Sequence, residues 1–578
     1  MQTIMRRFLI LLLFSTPSFA QGTSVAPTQT ADQIFLNGNI YTGARTVSDR
    51  VEGHDLRKIV VGPRVQALAV KGDRILAVGT NREIERFRGS HAISVDLGGH
   101  FVLPGINDSH LHLAIGGMEE LNVDLVGVKS LREMQERIAT QATHAASGEW
   151  LQGGGWDHTL WAEQKLPTRQ DLDAITGGHP AFFSRIDGHI VVANTTALHA
   201  AAIAADTADP EGGKIDRDAK GEPTGILRES AREILLAKVP KPTKAKRRQA
   251  IELALSEAAQ WGLTSVQDNS EWEDFLIYED LEREGELTLR ISEWLPFTAS
   301  LDELKQMRAH HSQADPMLHT GQLKGFLDGS LGSHTAALLA PYSDEPTNTG
   351  LLQLTQTRLN ELTRERAAAG FQIGFHAIGD RAVEMALQAF DAAENTDLPR
   401  AKTSKWNDYR FRIEHAQVLS PNQFARFHEL GVIASMQPNH LLTDMNWVES
   451  RIGLERVKHS YAWRAFLDAN VPLAFGTDYP VEPLTPFRGL YAAVTRRNEA
   501  GTKELHTEQK LTIDEAIAAY TTGAAHAEFA DQDKGLLQPR MLADFIVLDR
   551  DITKVQPLDI LGTRVLRTVV GGRTMYGL

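Results

Sequence analysis

His110 and His112, in the run "INDSHLHL", stand two residues apart. Residues i and i+2 of an extended segment point the same way, so two imidazoles at this spacing can grip one ion together. Much further along, Lys324 lies in "LKGFLDGS", His376 in "QIGFHAIGD", His415 in "RFRIEHAQ" and Asp478 in "PLAFGTDYP". Ring nitrogens and a carboxylate converging on one mouth would hold a divalent metal that favours imidazole, zinc before others. Lys324 is the odd member, because an unpaired ammonium in an apolar strand is costly. A protonated lysine cannot coordinate a metal, but its carbamate, the adduct with carbon dioxide, supplies two oxygens.

Each piece has an ordinary explanation when taken alone. A His-x-His pair is common on surfaces, "GFHAIGD" and "RIEHAQ" could cap buried strands, and Asp478 could cap a turn. What changes the reading is the order of the elements that must position these residues. The middle of the chain alternates strand and helix patterns, with buried-strand candidates "FVLPGIN", "GLTSVQD", "LRISEWL", "LKGFLD", "QIGFHAI", "RFRIEHA", "GVIASMQ" and "PLAFGTD". Eight β-then-α units predict a (β/α)8 TIM barrel, in which functional side chains gather at the C-terminal ends of the strands. His110 and His112 follow the first candidate, Lys324 lies in the fourth, His376 ends the fifth, His415 the sixth and Asp478 the eighth.

The barrel is expected over residues 100–489, with an inserted subdomain at 114–260, since that gap is too long for one crossover. Both chain ends carry short strand pairs with turn signals: Asn37-Gly38, Lys71-Gly72-Asp73 and Gly571-Gly572. Neither set is large enough alone, so residues 31–99 and 490–578 are expected to pack together as one small β-sandwich. Thr512 and Glu515 form a capping box that opens a helix after the last strand. The first twenty residues differ from the rest. Arg6 and Arg7 precede "FLILLLF" and then "STPSFA", the pattern of a cleaved signal peptide at 1–20. The apolar run is too short to span a bilayer, so a periplasmic or secreted protein with no stable membrane anchor after cleavage is expected.

There is no cysteine, which removes disulfides, thiol nucleophiles and thiolate-held zinc. A formal net charge of -14 argues against a nucleic-acid partner; the partner expected is a small-molecule substrate. The sequence leaves open whether the chain forms a homo-oligomer. Ser330 in "DGSLG" fails as a nucleophile elbow, because Asp328 stands where glycine is required.

The ordered motifs "PGINDSHLHL", "GGGWDHTLW", "RIDGHIVVAN", "GLTSVQD", "KGFLDGSLGSHTAAL", "FHAIGDRAV", "RIEHAQ", "FGTDYPVEPLTPF" and "ADFIVLDRD" resemble the amidohydrolase superfamily over nearly the whole mature chain. Within it they resemble the amidohydrolase-3, or YtcJ-like, branch that includes N-substituted formamide deformylases. The resemblance implies that His110 and His112 hold one zinc ion and His376 and His415 a second. Carboxylated Lys324 would bridge the two, and Asp478 would contact the first ion and act as general base, then general acid. Such a pair of ions would activate a water at neutral pH, for cleavage of a non-peptide C–N bond in an amide, N-formyl compound or cyclic amide. Two departures stand out: His334 where the family often has arginine, and an N-terminal segment, 45–64, that exceeds the usual length. Substrate contacts are expected from the insert, with Trp156 as an apolar wall and Asp157 or His189 orienting a polar group. His334, Asn439 and His440 are rim candidates. Esters and heterocycles share this chemistry, and an exported binding protein on the same barrel is the non-enzymatic alternative.

Overall fold

Eight short apolar runs form one parallel sheet in the computed structural model, which describes residues 29–51, 54–185, 189–210, 212–394 and 408–577. The predicted signal peptide at 1–20 lies outside the described residues. The strands are β1 (Ile106–Leu111), β2 (Leu263–Asp268), β3 (Arg290–Pro296), β4 (Leu318–Phe326), β5 (Ile373–Ala377), β6 (Arg412–His415), β7 (Ile433–Met436) and β8 (Leu473–Phe475), hydrogen-bonded in that order. Burial on both faces is why these runs read as continuous apolar stretches rather than alternating ones. The seam between β1 and β8 is closed just beyond the strands. Asp478 N donates to His110 O at 2.8 Å and His112 N donates to Tyr479 O at 2.8 Å. The result is a (β/α)8 barrel.

The predicted strand "FVLPGIN" divides in two. Phe101–Pro104 belongs to a sheet of the β-sandwich, and β1 of the barrel begins at Ile106. Gly105 stands at the crossing, where a Cβ would lie 2.1 Å from Thr264 Oγ1, so no larger residue fits.

The two chain ends do build one sandwich. One sheet runs Arg74–Gly79, Ala67–Lys71, Ala31–Leu36, Arg88–Asp96; the other runs Arg573–Tyr576, Val565–Val570, Phe545–Leu548, Phe101–Pro104, Asn39–Tyr41, Arg64–Val65. Phe35, Leu68 and Val70 from the first pack against Val102, Phe545, Val547 and Val569 from the second. The hairpins expected at Gly72-Asp73 and Gly571-Gly572 are present. The one expected at Asn37-Gly38 is not. Asn37 is left-handed at φ 58°, and Gly38 N bonds Gln66 O, so the chain steps from one sheet to the other instead of turning back. The unusual 45–64 segment is largely an antiparallel pair, Ala44–Val51 with His54–Val61.

Two boundaries move. The insert's six-stranded sheet spans Val123–Asp124 to Pro223–Glu229, with a core of its own around Leu151, Trp161 and Phe183. The flanking helices Leu113–Glu120 and Lys244–Gln260 pack on each other and contribute Leu113, Ile251 and Leu255 to the barrel core. Likewise Leu490, Tyr491, Ile517 and Tyr520 lie in the barrel core rather than the sandwich. Helix Ile513–Ala518 opens with the expected capping box: Thr512 N bonds Glu515 Oε2 at 2.7 Å and Glu515 N bonds Thr512 Oγ1 at 3.3 Å.

Candidate metal centre

The seam that closes the barrel also aims the ligands. Asp108 accepts from His110 N, from Thr477 N at 3.0 Å and from Thr477 Oγ1 at 2.6 Å, tying β1 to the segment after β8. His110, His112 and Asp478 thereby face one another. His112 Nε2 lies 3.3 Å and His110 Nε2 3.5 Å from Asp478 Oδ1, and the three ligand atoms lie within 4.8 Å of one another.

The other nitrogen of each ring is held in place. Glu414 Oε2 lies 3.0 Å from His110 Nδ1, and the backbone carbonyl of Asn269 lies 3.0 Å from His112 Nδ1. An imidazole fixed in this way keeps Nε2 free for an ion. Glu414 is buried, which alone would raise its pKa. The Arg412 guanidinium and His110 reverse that and hold it well below the usual carboxylate range. Burial, reinforced by the Lys324 ammonium, lowers His110 to about 4. Burial likewise takes His376 down to about 3. Neutral imidazoles are the form a metal needs.

A second group, His415, His440 and Asp478, also has its ligand atoms within 4.8 Å of one another. Asp478 Oδ2 lies 3.0 Å from His440 Nε2 and 4.0 Å from His415 Nδ1. Burial pushes the His440 pKa down, but the hydrogen bond and charge of Asp478 outweigh it and raise it to about 9. His376 stands beside this group, its ring 4.4 Å from that of His415, with Nε2 3.2 Å from Gly329 O. Lys324 is buried, its Nζ 3.0 Å from His110 Nε2 and 5.0 Å from the rings of Trp294 and Phe326. Burial lowers its pKa to about 8, which leaves a larger fraction of free amine than an ordinary lysine has. These residues fit a metal. His415 Nδ1 is buried with no hydrogen-bond partner among the described residues, and four ring nitrogens stand within 4.0 Å of the one Asp478 carboxylate.

The proposed substrate contacts fare differently. Trp156 is fully buried and donates Nε1–H to Phe183 O at 2.9 Å. Its ring is taken up by the insert's own core, so it is no wall for substrate. Asp157 caps His158–Leu160 and pairs with Arg185 at 2.9 Å. His189 lies 3.0 Å from Glu229, and His334 lies 3.1 Å from Asp344. Asn439 is buried and donates to Pro483 O at 3.3 Å. None of these five belongs to either ligand group. The apolar wall near Lys324 comes from other residues. A cavity of about 540 Å3 is lined by Trp272, Trp294, Phe297, Phe326, Glu293 and Lys324, among others. Glu293 Oε2 is buried there with no hydrogen-bond partner among the described residues, and burial followed by the charge of Asp268 raises its pKa well above the carboxylate range. "RISEWLP" offered Glu293 and Trp294 as polar and aromatic residues on a strand end, but nothing in their spacing tied them to His110.

A barrel whose strand ends direct histidines and a carboxylate at one point is the framework of a metal-dependent hydrolase. The profile described as the amidohydrolase family matches residues 94–576, and the chain belongs to that family. It is similar to the Protein LONG AFTER FAR-RED 3 of Arabidopsis thaliana, at 34% identity over 562 residues, 94% of this chain and 92% of that one. It is 28% identical over 563 residues to the N-substituted formamide deformylase of Arthrobacter pascens, 95% of this chain and 99% of that one. The crystal structure of an uncharacterized metal-dependent hydrolase from Pyrococcus horikoshii superposes with a TM-score of 0.73 at 30% identity, covering 91% of this chain and 99% of that one.

Proposed function

We propose that this enzyme is an exported hydrolase that cleaves a non-peptide C–N bond in a small molecule carrying an apolar or aromatic group. The observation that carries the reading is the approach of His110 Nε2 and His112 Nε2 to Asp478 Oδ1, at 3.5 and 3.3 Å. His110, His112 and Asp478 would hold one zinc ion. His376 and His415 would hold a second, and carboxylated Lys324 would join the two. The bound ions would supply Lewis acidity toward the carbonyl oxygen and lower the pKa of the attacking water.

The chain's own residues do the rest. Asp478 takes a proton from the attacking water and returns it to the leaving nitrogen, the step that an amine leaving group requires. His440, hydrogen-bonded to Asp478 Oδ2, orients that carboxylate and shares its proton. Trp272, Trp294, Phe297 and Phe326 offer an apolar surface to the substituent and exclude water from it. The similarity to a deformylase of N-substituted formamides supports an N-acyl or N-formyl substrate, and the basic-then-apolar start of the chain supports export.

The test is hydrolysis of a panel of N-substituted formamides, amides and cyclic amides by enzyme purified from the exported fraction, its N-terminus expected at Gln21. Turnover should vanish on chelation and return with Zn2+. Asp478→Asn should lower kcat by about 10²–10⁴-fold. Turnover indifferent to both chelation and Asp478→Asn would sink the reading.

A further inference from the structure

The helix Trp272–Glu284 follows β2, the helix Leu301–His310 follows β3, and the loop after the second helix leads into β4. At the N-terminal ends of the strands, away from the catalytic mouth, these three pieces bring together Glu282, His311 and Asp315. One ligand atom of each lies within 4.8 Å of the others. His311 Nε2 stands 3.6 Å from Glu282 Oε2 and 3.6 Å from Asp315 Oδ2. Both distances are too long for hydrogen bonds, and Nε2 is buried without a hydrogen-bond partner among the described residues.

The other ring nitrogen of His311 and the other oxygen of Asp315 are held in the manner of a metal site. His311 Nδ1 lies 2.7 Å from Glu279 Oε1, whose other oxygen is 2.9 Å from His310 Nε2. Asp315 Oδ1 accepts from Met317 N at 2.7 Å and from Leu318 N at 3.4 Å, which turns Oδ2 toward His311. A carboxylate behind one nitrogen of an imidazole, with the other nitrogen unpaired, is the arrangement that orients a metal-bound histidine. Ligand atoms around a tetrahedral zinc ion stand about 3.4 Å apart, given bonds of about 2.0–2.2 Å. The 3.6 Å separations match that geometry and exceed hydrogen-bond length. The carboxylates of Glu282 and Asp315 repel each other, and a cation between them removes the repulsion.

We propose that Glu282, His311 and Asp315 form a structural binding site for a zinc-class divalent cation, distinct from the catalytic centre. One nitrogen and two oxygens with no thiolate suit Zn2+ or Mn2+ better than Ca2+, which prefers oxygen alone. The ion fastens the helix Trp272–Glu284 to the entry of β4, the strand that carries Lys324.

The test uses the full chain, stripped of metal, reloaded with Zn2+ and dialysed, with zinc counted per chain by elemental analysis. His311→Ala should carry one equivalent less than wild type and keep its hydrolytic turnover, and its thermal midpoint should no longer rise with the last equivalent of added Zn2+. Should His311→Ala fail to fold, Glu282→Gln and Asp315→Asn serve the same purpose. A chain with His110→Ala and Asp478→Asn should keep the structural equivalent. Equal zinc content in wild type and the Glu282, His311 and Asp315 variants would overturn the proposal and leave a protonated His311 as the cluster's own cation.

Discussion

Glu414 touches no substrate surface, yet His110 depends on it. Its Oε2 fixes His110 Nδ1, and its Oε1 accepts from Gln322 at 3.0 Å and pairs with Arg412 Nε at 2.9 Å. The pair lies at 0–1% exposure, so the carboxylate stays charged and the imidazole keeps its tautomer. Glu414→Gln would remove the charge with little change of volume. Metal affinity should fall by about 10–100-fold, read by competition with a chromogenic chelator, while the circular dichroism spectrum stays that of wild type. Unchanged affinity would mean that the charge of Glu414 is not what holds the ring and its tautomer.

At the scale of elements, the seam between β1 and β8 decides whether the ligands meet. Gly476 lies where the two strands approach most closely: a Cβ there would come within 2.5 Å of His110 N and 2.6 Å of Asp108 Oδ1. Both neighbours are held by the seam's own hydrogen bonds, so neither can give way cheaply. Gly476→Ala should therefore destabilise the fold by about 1–3 kcal/mol, the usual range for overpacking, as measured by urea unfolding. It should also weaken metal binding, because His110 and Asp478 would be wedged apart. A stable variant with normal metal content would show that the seam is not what positions the pair. The register between strands sets the remaining geometry, with Phe326 beside His376 and Ala377 beside His415, so that ligands on different strands reach one level.

On the scale of the whole molecule, the sandwich and the barrel are joined by a buried ion pair. Arg290, at the start of β3, donates to both oxygens of Asp544, at 2.7 and 2.9 Å, and Asp544 also accepts from Gly571 N at 2.7 Å. Side-chain exposures of 4% and 5% leave either charge stranded if its partner is removed. Asp544→Ala should cost about 3–5 kcal/mol, whereas replacing both residues by apolar ones of similar size should recover most of the loss. Chemical unfolding of both variants checks this. Equal stability of Asp544→Ala and wild type would show that the sandwich is held by its apolar contacts alone.

The barrel and the family were legible in the chain because eight apolar runs recur in a fixed order and the ligating residue types sit at their ends. The local signals with a complete mechanism were legible too, such as the Thr512–Glu515 box and the hairpin at Gly72-Asp73. The Asn37-Gly38 step and the split at Gly105 were not, since which sheet a strand joins depends on partners tens to hundreds of residues away. For the same reason Glu414 behind His110, His440 against Asp478 and Trp294 in the pocket wall emerge only in three dimensions. Trp156 shows the converse: an aromatic beside a glycine run suggests a binding surface until burial assigns it to a core. Residue types and their order determined the chemistry available to this protein. Tertiary packing decided which nitrogens are free to use it, because the tautomer and direction of an imidazole are set by the neighbour on its other side.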